Sequence, residues 1–205
     1  KCKIRELYLA SSSEVYQTPF KIPTSEEEPL KIPDINNPRF SYGGGKILTE
    51  LMGINYGRKF FTKIIIFRPH NVYGADMGNE HVIPELIQKM RKTKKNSFLK
   101  IQGTGKEIRS FIYIKDFISG FHKLMTKGKH LQIYNIGTNQ SIKIKDLVLK
   151  ISKIMKKRII IKTSVLKKGS TKIRKPNITK IRKLGFKPKY TLDQGLKEII
   201  LNLTK

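Results

Sequence analysis

The 205-residue sequence is poor in cysteine and in acidic side chains, and long apolar runs are missing. Its one cysteine, Cys2, excludes an internal disulfide framework and any cysteine-rich zinc site, and makes a reducing cytoplasm the expected setting. No stretch approaches the roughly eighteen apolar residues of a membrane span, and no charged segment followed by an apolar one opens the chain, so a soluble protein is expected. Asp and Glu total 15 against 43 Lys and Arg, a formal charge of +28. Neither Gly-x-Gly-x-x-Gly nor Gly-x-x-Gly-x-x-Gly occurs, so the phosphate-cradling turn of a dinucleotide site is not encoded here. What is present is ordinary for a globular chain: 38% apolar residues plus 15 Gly, about 45% together, which rules out disordered and fibrous classes.

The basic excess is 34 Lys and only 9 Arg, and the Lys are spread along nearly every segment. Nucleic-acid surfaces lean on Arg and gather charge into a stripe. A compositional bias toward Lys on solvated faces therefore ranks ahead of an evolved nucleic-acid site, although either would attract phosphorylated molecules without specificity.

Strand-like and helix-like patterns alternate. Residues 7–11, 63–67, 99–102, 111–114, 133–136 and 158–161 read as short strands. Residues 41–56, 82–91, 116–126, 144–155, 179–184 and 192–203 read as helices. Ser41 and Asp116 are the expected N-caps and Gly57 the expected stop of the first helix. The Pro-rich stretch from Pro19 to Pro38 is a loop, and 167–175 is the best candidate for a mobile one. Alternation of this kind implies a parallel sheet covered by helices. The chain begins with Lys1 and enters a strand of buried type within a few residues, so upstream sequence is expected to be missing.

Chemistry gathers at Tyr42-Gly43-Gly44-Gly45-Lys46. Four helical residues turn about 400°, which sets Tyr42 and Lys46 on one face with Thr49 and Gly53, while Ile47, Leu51 and Asn55 point the other way. An ammonium beside a phenol stabilises phenolate, making an acid/base device. Three glycines cost a helix about 1 kcal/mol each relative to Ala, which close approach by a ligand would justify; otherwise they are a loop and the helix starts at Lys46. Tyr-x-x-x-Lys alone decides nothing. Ser12, thirty residues earlier, adds a hydroxyl at the carboxyl end of a parallel strand, where open α/β sheets bind ligands.

With these residues stand Ser11-Ser12-Ser13-Glu14-Val15-Tyr16, Arg68-Pro69-His70-Asn71-Val72-Tyr73-Gly74, and Gly103-Thr104-Gly105 followed by Arg109-Ser110-Phe111-Ile112-Tyr113-Ile114-Lys115-Asp116. Tyr134-Asn135-Ile136-Gly137 and Leu184-Gly185-Phe186-Lys187-Pro188 complete the set. In order and spacing the chain resembles the NAD-dependent nucleotide-sugar epimerase/dehydratase branch of the extended short-chain dehydrogenase/reductase family, over nearly its whole length.

The resemblance implies an α/β fold: the C-terminal part of a doubly wound, Rossmann-type sheet over 1–78, carrying the catalytic residues, and a smaller α/β substrate-binding region mainly over 79–205, with some segments returning to the sheet. It implies that Ser12 hydrogen-bonds the reacting sugar oxygen and Tyr42 is the base. Lys46 would hold the nicotinamide ribose and stabilise the Tyr42 phenolate, with Ser11 also at the cofactor. Asn71 and Arg109 would contact the substrate diphosphate, with Arg174 as a second contact. Asn71 is alternatively a turn residue. Glu14 is either a solvated strand end or an acid/base group beside the sugar.

Tyr16, Tyr73 and Tyr113 read as packing, and His70 and His81 lack a partner at metal spacing, so no metal is expected. The implied activity is 4-epimerisation of a UDP-hexose through transient C4 oxidation with NAD, by a cytoplasmic homodimer. Decarboxylation of UDP-glucuronate ranks second, on the Ser12-Ser13-Glu14 order. A 4,6-dehydratase ranks lower, because Ser13 stands where such enzymes carry the Asp of an Asp-Glu pair. A non-catalytic basic remnant that binds polyanions is the reading from another class. The glycine loop of the family would lie upstream of Lys1, so the 205-residue chain alone is expected to be inactive.

Overall fold

Short β-rich runs set the frame, and the computed structural model describes residues 4–203 of it; Cys2 lies outside the described residues. In chain order the strands are β1 (Glu6–Ala10), β2 (Lys63–Pro69), β3 (Val72–Tyr73), β4 (Ser97–Lys100), β5 (Ile108–Arg109), β6 (Ile112–Tyr113), β7 (Gln132–Ile136), β8 (Ile142–Lys143), β9 (Ile159–Lys162) and β10 (Ile173–Arg174). The α-helices are α1 (Ser41–Asn55), α2 (Val82–Lys92), α3 (Ile114–Lys127), α4 (Ile144–Ile154), α5 (Thr179–Arg182) and α6 (Leu192–Leu203).

The main sheet is parallel, in the order β1, β2, β7, so a strand from the second half of the chain completes a sheet begun by the first. β2 is central and buried on both faces, which is why it reads as the continuous run Ile64-Ile65-Ile66-Phe67. On one face Phe67 stacks against Phe117 and Phe121 of α3, and Ile65 joins Leu124 in the same cluster. On the other face lies α1. The α/β class with helices on both faces of a parallel sheet is the one expected. A second core gathers Ile87 and Met90 of α2, Leu147, Val148 and Ile151 of α4 and Leu196 and Ile199 of α6. Beside it β10, β5 and β8 form a small mixed sheet, with β10 parallel and β8 antiparallel to β5.

Several local expectations are corrected. Ser41 is the first helical residue and not the cap; its Oγ donates to the Pro38 carbonyl at 2.7 Å. Asp116 sits inside the first turn of α3, where its carboxylate accepts the Lys189 and Tyr190 amides, each at 2.9 Å, and so ties α3 to the segment before α6. Gly43, Gly44 and Gly45 are helical. A Cβ on Gly43 would come within 3.0 Å of the Glu14 carbonyl oxygen, a main-chain atom, so packing favours glycine there; one on Gly53 would meet only the movable end of the Leu9 side chain, and one on Gly45 would meet nothing. α1 therefore seats on the sheet by glycines and Glu50, and Leu48, Leu51 and Met52 are exposed. The stretch 167–175 is anchored: it contains β10, and its Thr171, Lys172 and Gly169 carbonyls accept from Arg109 and Arg39.

Candidate active site

Sheet geometry delivers the first group of residues. Just past Ala10, at the carboxyl end of β1, Ser12 caps the 3-10 turn Ser13–Tyr16; its Oγ accepts the Glu14 amide at 3.1 Å, which leaves its own proton to donate. The start of α1 lies against this turn because Gly43 has no side chain to hold it off. Lys46 Nζ donates to the Ala10 carbonyl at 2.9 Å and stands 5.8 Å from the centre of the Tyr42 ring. Tyr42 is 56% exposed. Ser12, Tyr42 and Lys46 thus meet where β1 ends, and an open phenol with an ammonium beside it can exchange a proton with a ligand there.

Beneath them runs a buried polar network that the sequence reading did not find. Glu50, one turn beyond Lys46, accepts from Arg68 Nε at 2.8 Å and Nη2 at 2.6 Å, and also from Ser11 Oγ. Ser11, expected at the cofactor, is accordingly turned inward, with its hydroxyl spent on Glu50. Arg68 Nη1 donates to Tyr16 Oη at 2.8 Å, and Tyr16 donates to Asn135 Oδ1 at 2.7 Å, an oxygen that also lies 3.0 Å from His70 Nε2. Burial works against the charge of Arg68, but Glu50 and Tyr16 outweigh it and raise its pKa. Burial pushes the Tyr16 phenol up to about 12 and His70 down to about 3. The available signal was position: Glu50 continues the Tyr42 and Lys46 stripe at the same four-residue step. Tyr16, Tyr73 and Tyr113 are buried, as expected of packing residues.

The second group lines a cavity of about 370 Å³ and comprises Glu14, Asn71, Arg109 and Arg174, together with Arg39 and Glu107. Asn71 has a left-handed backbone (φ 44°) and its Nδ2 donates to the Ser110 carbonyl at 2.9 Å, so it serves as a turn residue while still facing the cavity. Arg109 donates to the Ile108, Lys172 and Thr171 carbonyls at 2.8, 3.2 and 2.7 Å. Burial and the nearby Arg174 lower its pKa to about 10, against the opposing pull of Glu14 and Glu107. Glu14 grips Arg174 in a two-pronged pair, 2.5 Å from Nη1 and 2.9 Å from Nη2. Burial raises the Glu14 pKa, but Arg174 more than offsets this, so the carboxyl lies below its usual range. Glu107, missed in the sequence, lines the cavity and accepts the Thr104 and Gly105 amides, each at 2.9 Å, so that it shapes the Gly103-Thr104-Gly105 turn behind it.

The expected residues therefore fall into two adjoining places. Ser12, Tyr42 and Lys46 stand at the strand end, while Glu14, Asn71, Arg109 and Arg174 stand in the cavity, and Ser12 and Glu14 join the two through a single turn. For a nicotinamide dinucleotide, the open space at Gly45, the exposed Tyr42 and the half-buried Lys46 fit the nicotinamide and ribose end.

Ser12, Tyr42 and Lys46 stand at the end of a strand in a parallel α/β sheet, and comparison with known proteins gives the family. The sequence model of the NAD dependent epimerase/dehydratase family matches residues 1–137, and the chain belongs to that family. It is 27% identical over 204 residues to the dTDP-D-glucose 4,6-dehydratase of Mus musculus, covering 96% of this chain and 55% of that protein. It is 31% identical over 196 residues to UDP-glucuronic acid decarboxylase 2 of Arabidopsis thaliana, covering 92% of this chain and 42% of that one. The fold matches the UDP-N-acetylglucosamine 4-epimerase from Methanobrevibacter ruminantium M1 with a TM-score of 0.85 at 22% identity, over 98% of this chain and 63% of that one. The chain spans about half the length of the curated relatives it matches.

Proposed function

We propose that the chain carries the proton-transfer residues and the nucleotide-sugar pocket of an NAD-dependent enzyme that transiently oxidises a nucleoside-diphosphate hexose at C4. The observation that carries this reading is the meeting of Ser12, Tyr42 and Lys46 at the end of β1, one turn from a cavity rich in guanidinium groups. The Tyr42 phenolate takes the C4 hydroxyl proton while Ser12 donates to the same oxygen, and Lys46 stabilises the phenolate and holds the cofactor ribose. NAD, when bound, supplies the hydride acceptor and returns the hydride. Asn71, Arg109 and Arg174 orient the diphosphate through charge-assisted hydrogen bonds. In this reading 1–78 is the catalytic part of the dinucleotide-binding domain and 79–205 mainly the substrate region. The full-length protein is a cytoplasmic homodimer, for which the exposed Leu48, Leu51 and Met52 of α1 offer an apolar face.

The first outcome we assign is 4-epimerisation of a UDP-hexose, which asks only for these groups around C4. A specific observation favours a second, decarboxylation of UDP-glucuronate: epimerisation gives Glu14, one turn from Ser12, no role, whereas a decarboxylase has a use for an acid/base group beside the sugar, and the decarboxylase relative shares 31% identity. The deciding experiment feeds the full-length protein NAD with UDP-galactose, UDP-glucuronate or dTDP-glucose, separates product from substrate by chromatography and takes the mass of each. An isomer of unchanged mass marks the epimerase, loss of CO2 the decarboxylase and loss of water the dehydratase. No turnover of any of these by a protein that binds NAD would overturn the reading.

A further inference from the structure

Three guanidinium groups face the cavity, and they are held in different ways. Arg109 is fixed to three main-chain carbonyls and Arg39 Nε to the Gly169 carbonyl at 3.1 Å, so both are parts of the wall. Arg174 instead offers its two-pronged fork to a side chain, Glu14, with only a long 3.4 Å contact to Thr171 Oγ1 besides. A guanidinium fork fits two carboxylate oxygens and two phosphate oxygens equally well. Glu14 is the carboxylate in that seat. Its side chain is about a third exposed and keeps Arg39 and Arg109 nearby, so it can leave without being stranded among apolar groups.

We propose that Glu14 is an internal competitor for the anion seat of this cavity, holding the Arg174 fork until the diphosphate of an entering nucleotide displaces it. This deepens the function proposed above and rests on its reading of the cavity as a nucleoside-diphosphate site. In the empty cavity the pair screens Arg39, Arg109 and Arg174 from one another. In the filled one the ligand does so, and Glu14 is released next to Ser12, beside the bound sugar. A carboxyl of this kind meets the reacting end of the ligand only after the nucleotide end has docked.

The test is a double-mutant cycle on UDP binding by calorimetry, which needs neither turnover nor NAD. Glu14→Gln should tighten UDP about tenfold, because the neutral amide competes poorly for the fork. Arg174→Gln should weaken UDP about tenfold or more, and in that background Glu14→Gln should change affinity by less than about twofold, since contacting residues couple. Should Glu14→Gln unfold, Glu14→Asp serves: its shorter side chain keeps the charge but cannot span both prongs, and it too should bind UDP more tightly. Unchanged or weaker binding by folded Glu14 variants sinks the proposal alone. An equal gain with and without Arg174 also overturns it, since that marks general charge repulsion. If the folded wild-type protein binds no UDP, the reading of the cavity falls, and the proposal falls with it.

Discussion

Tyr42 and His70 stand in opposite surroundings. Tyr42 is open, with the Lys46 ammonium 5.8 Å from its ring, whereas His70 is buried and leaves Nδ1 without a partner. For the full-length protein, Tyr42→Phe should lower kcat by a factor of about 10² or more with little change in substrate affinity, since only proton transfer is lost. Steady-state kinetics beside UDP calorimetry reads both, and unchanged turnover would end the assignment. For His70, burial puts the folded pKa near 3. The unfolded chain then takes up a proton near pH 6.5 that the folded chain refuses, so stability is full above that pH and is lost as pH falls toward 3. The loss is about 1.4 kcal/mol per pH unit below roughly pH 6. Glu26, raised by burial, works in the opposite sense. Denaturant unfolding between pH 6.5 and 5 should therefore show a slope that His70→Gln flattens; equal slopes in the two proteins would contradict it.

At the scale of elements, most strands and helices could be read from apolar period alone: 192–203 was expected as a helix and α6 is Leu192–Leu203. The two-residue strands β5, β8 and β10 were not legible, because a pairing that short is set by neighbours far away in sequence. The inward face of α1 departs from the usual apolar pattern for a physical reason. Apolar residues normally mark the buried side, but here glycines and Glu50 do, since the helix lies close to the sheet and buries an ion pair. The shared face of Tyr42 and Lys46 was legible from spacing and the roles of Asn71, Arg109 and Arg174 came only from the family resemblance, while the Glu50–Arg68 pair and the Glu14–Arg174 fork were not legible, because the partners stand 18 and 160 residues apart. The glycines of α1 make a paired prediction. Gly45→Ala, with open space at Cβ, should stabilise the chain by up to about 1 kcal/mol through helix propensity. Gly43→Ala should destabilise it, because the Glu14 carbonyl cannot give way and α1 must shift off the Ser12 turn. Thermal unfolding of the two variants checks the opposite signs. A further loss is expected from Glu50→Ala, about 3–5 kcal/mol, because Arg68 would be left as a buried unpaired charge.

Over the whole molecule the cations fall into two settings. Of 9 Arg in the sequence, Arg39, Arg109 and Arg174 line one cavity and Arg68 is buried behind the strand end, while the other Arg are on exposed surface and the 34 Lys are spread along the chain. Three bidentate cations thus face the place where a diphosphate would sit, and the remaining charge forms a general field. That division predicts how the +28 charge behaves toward nucleic acid. Duplex DNA or RNA should bind weakly and without sequence preference. Affinity should fall steeply and linearly in log-log form as salt rises, because counterion release is the only driving force a diffuse Lys field supplies. UDP, held in a cavity by oriented guanidinium forks, should lose much less affinity over the same salt range, since partly buried charges are screened less than exposed ones. Titrating one protein sample with a duplex of arbitrary sequence and with UDP, from low to physiological salt, separates the two kinds of site. Tight, sequence-selective binding of the duplex at physiological salt would mean that the Lys field is itself an evolved surface, and would place nucleic-acid binding ahead of the enzyme reading.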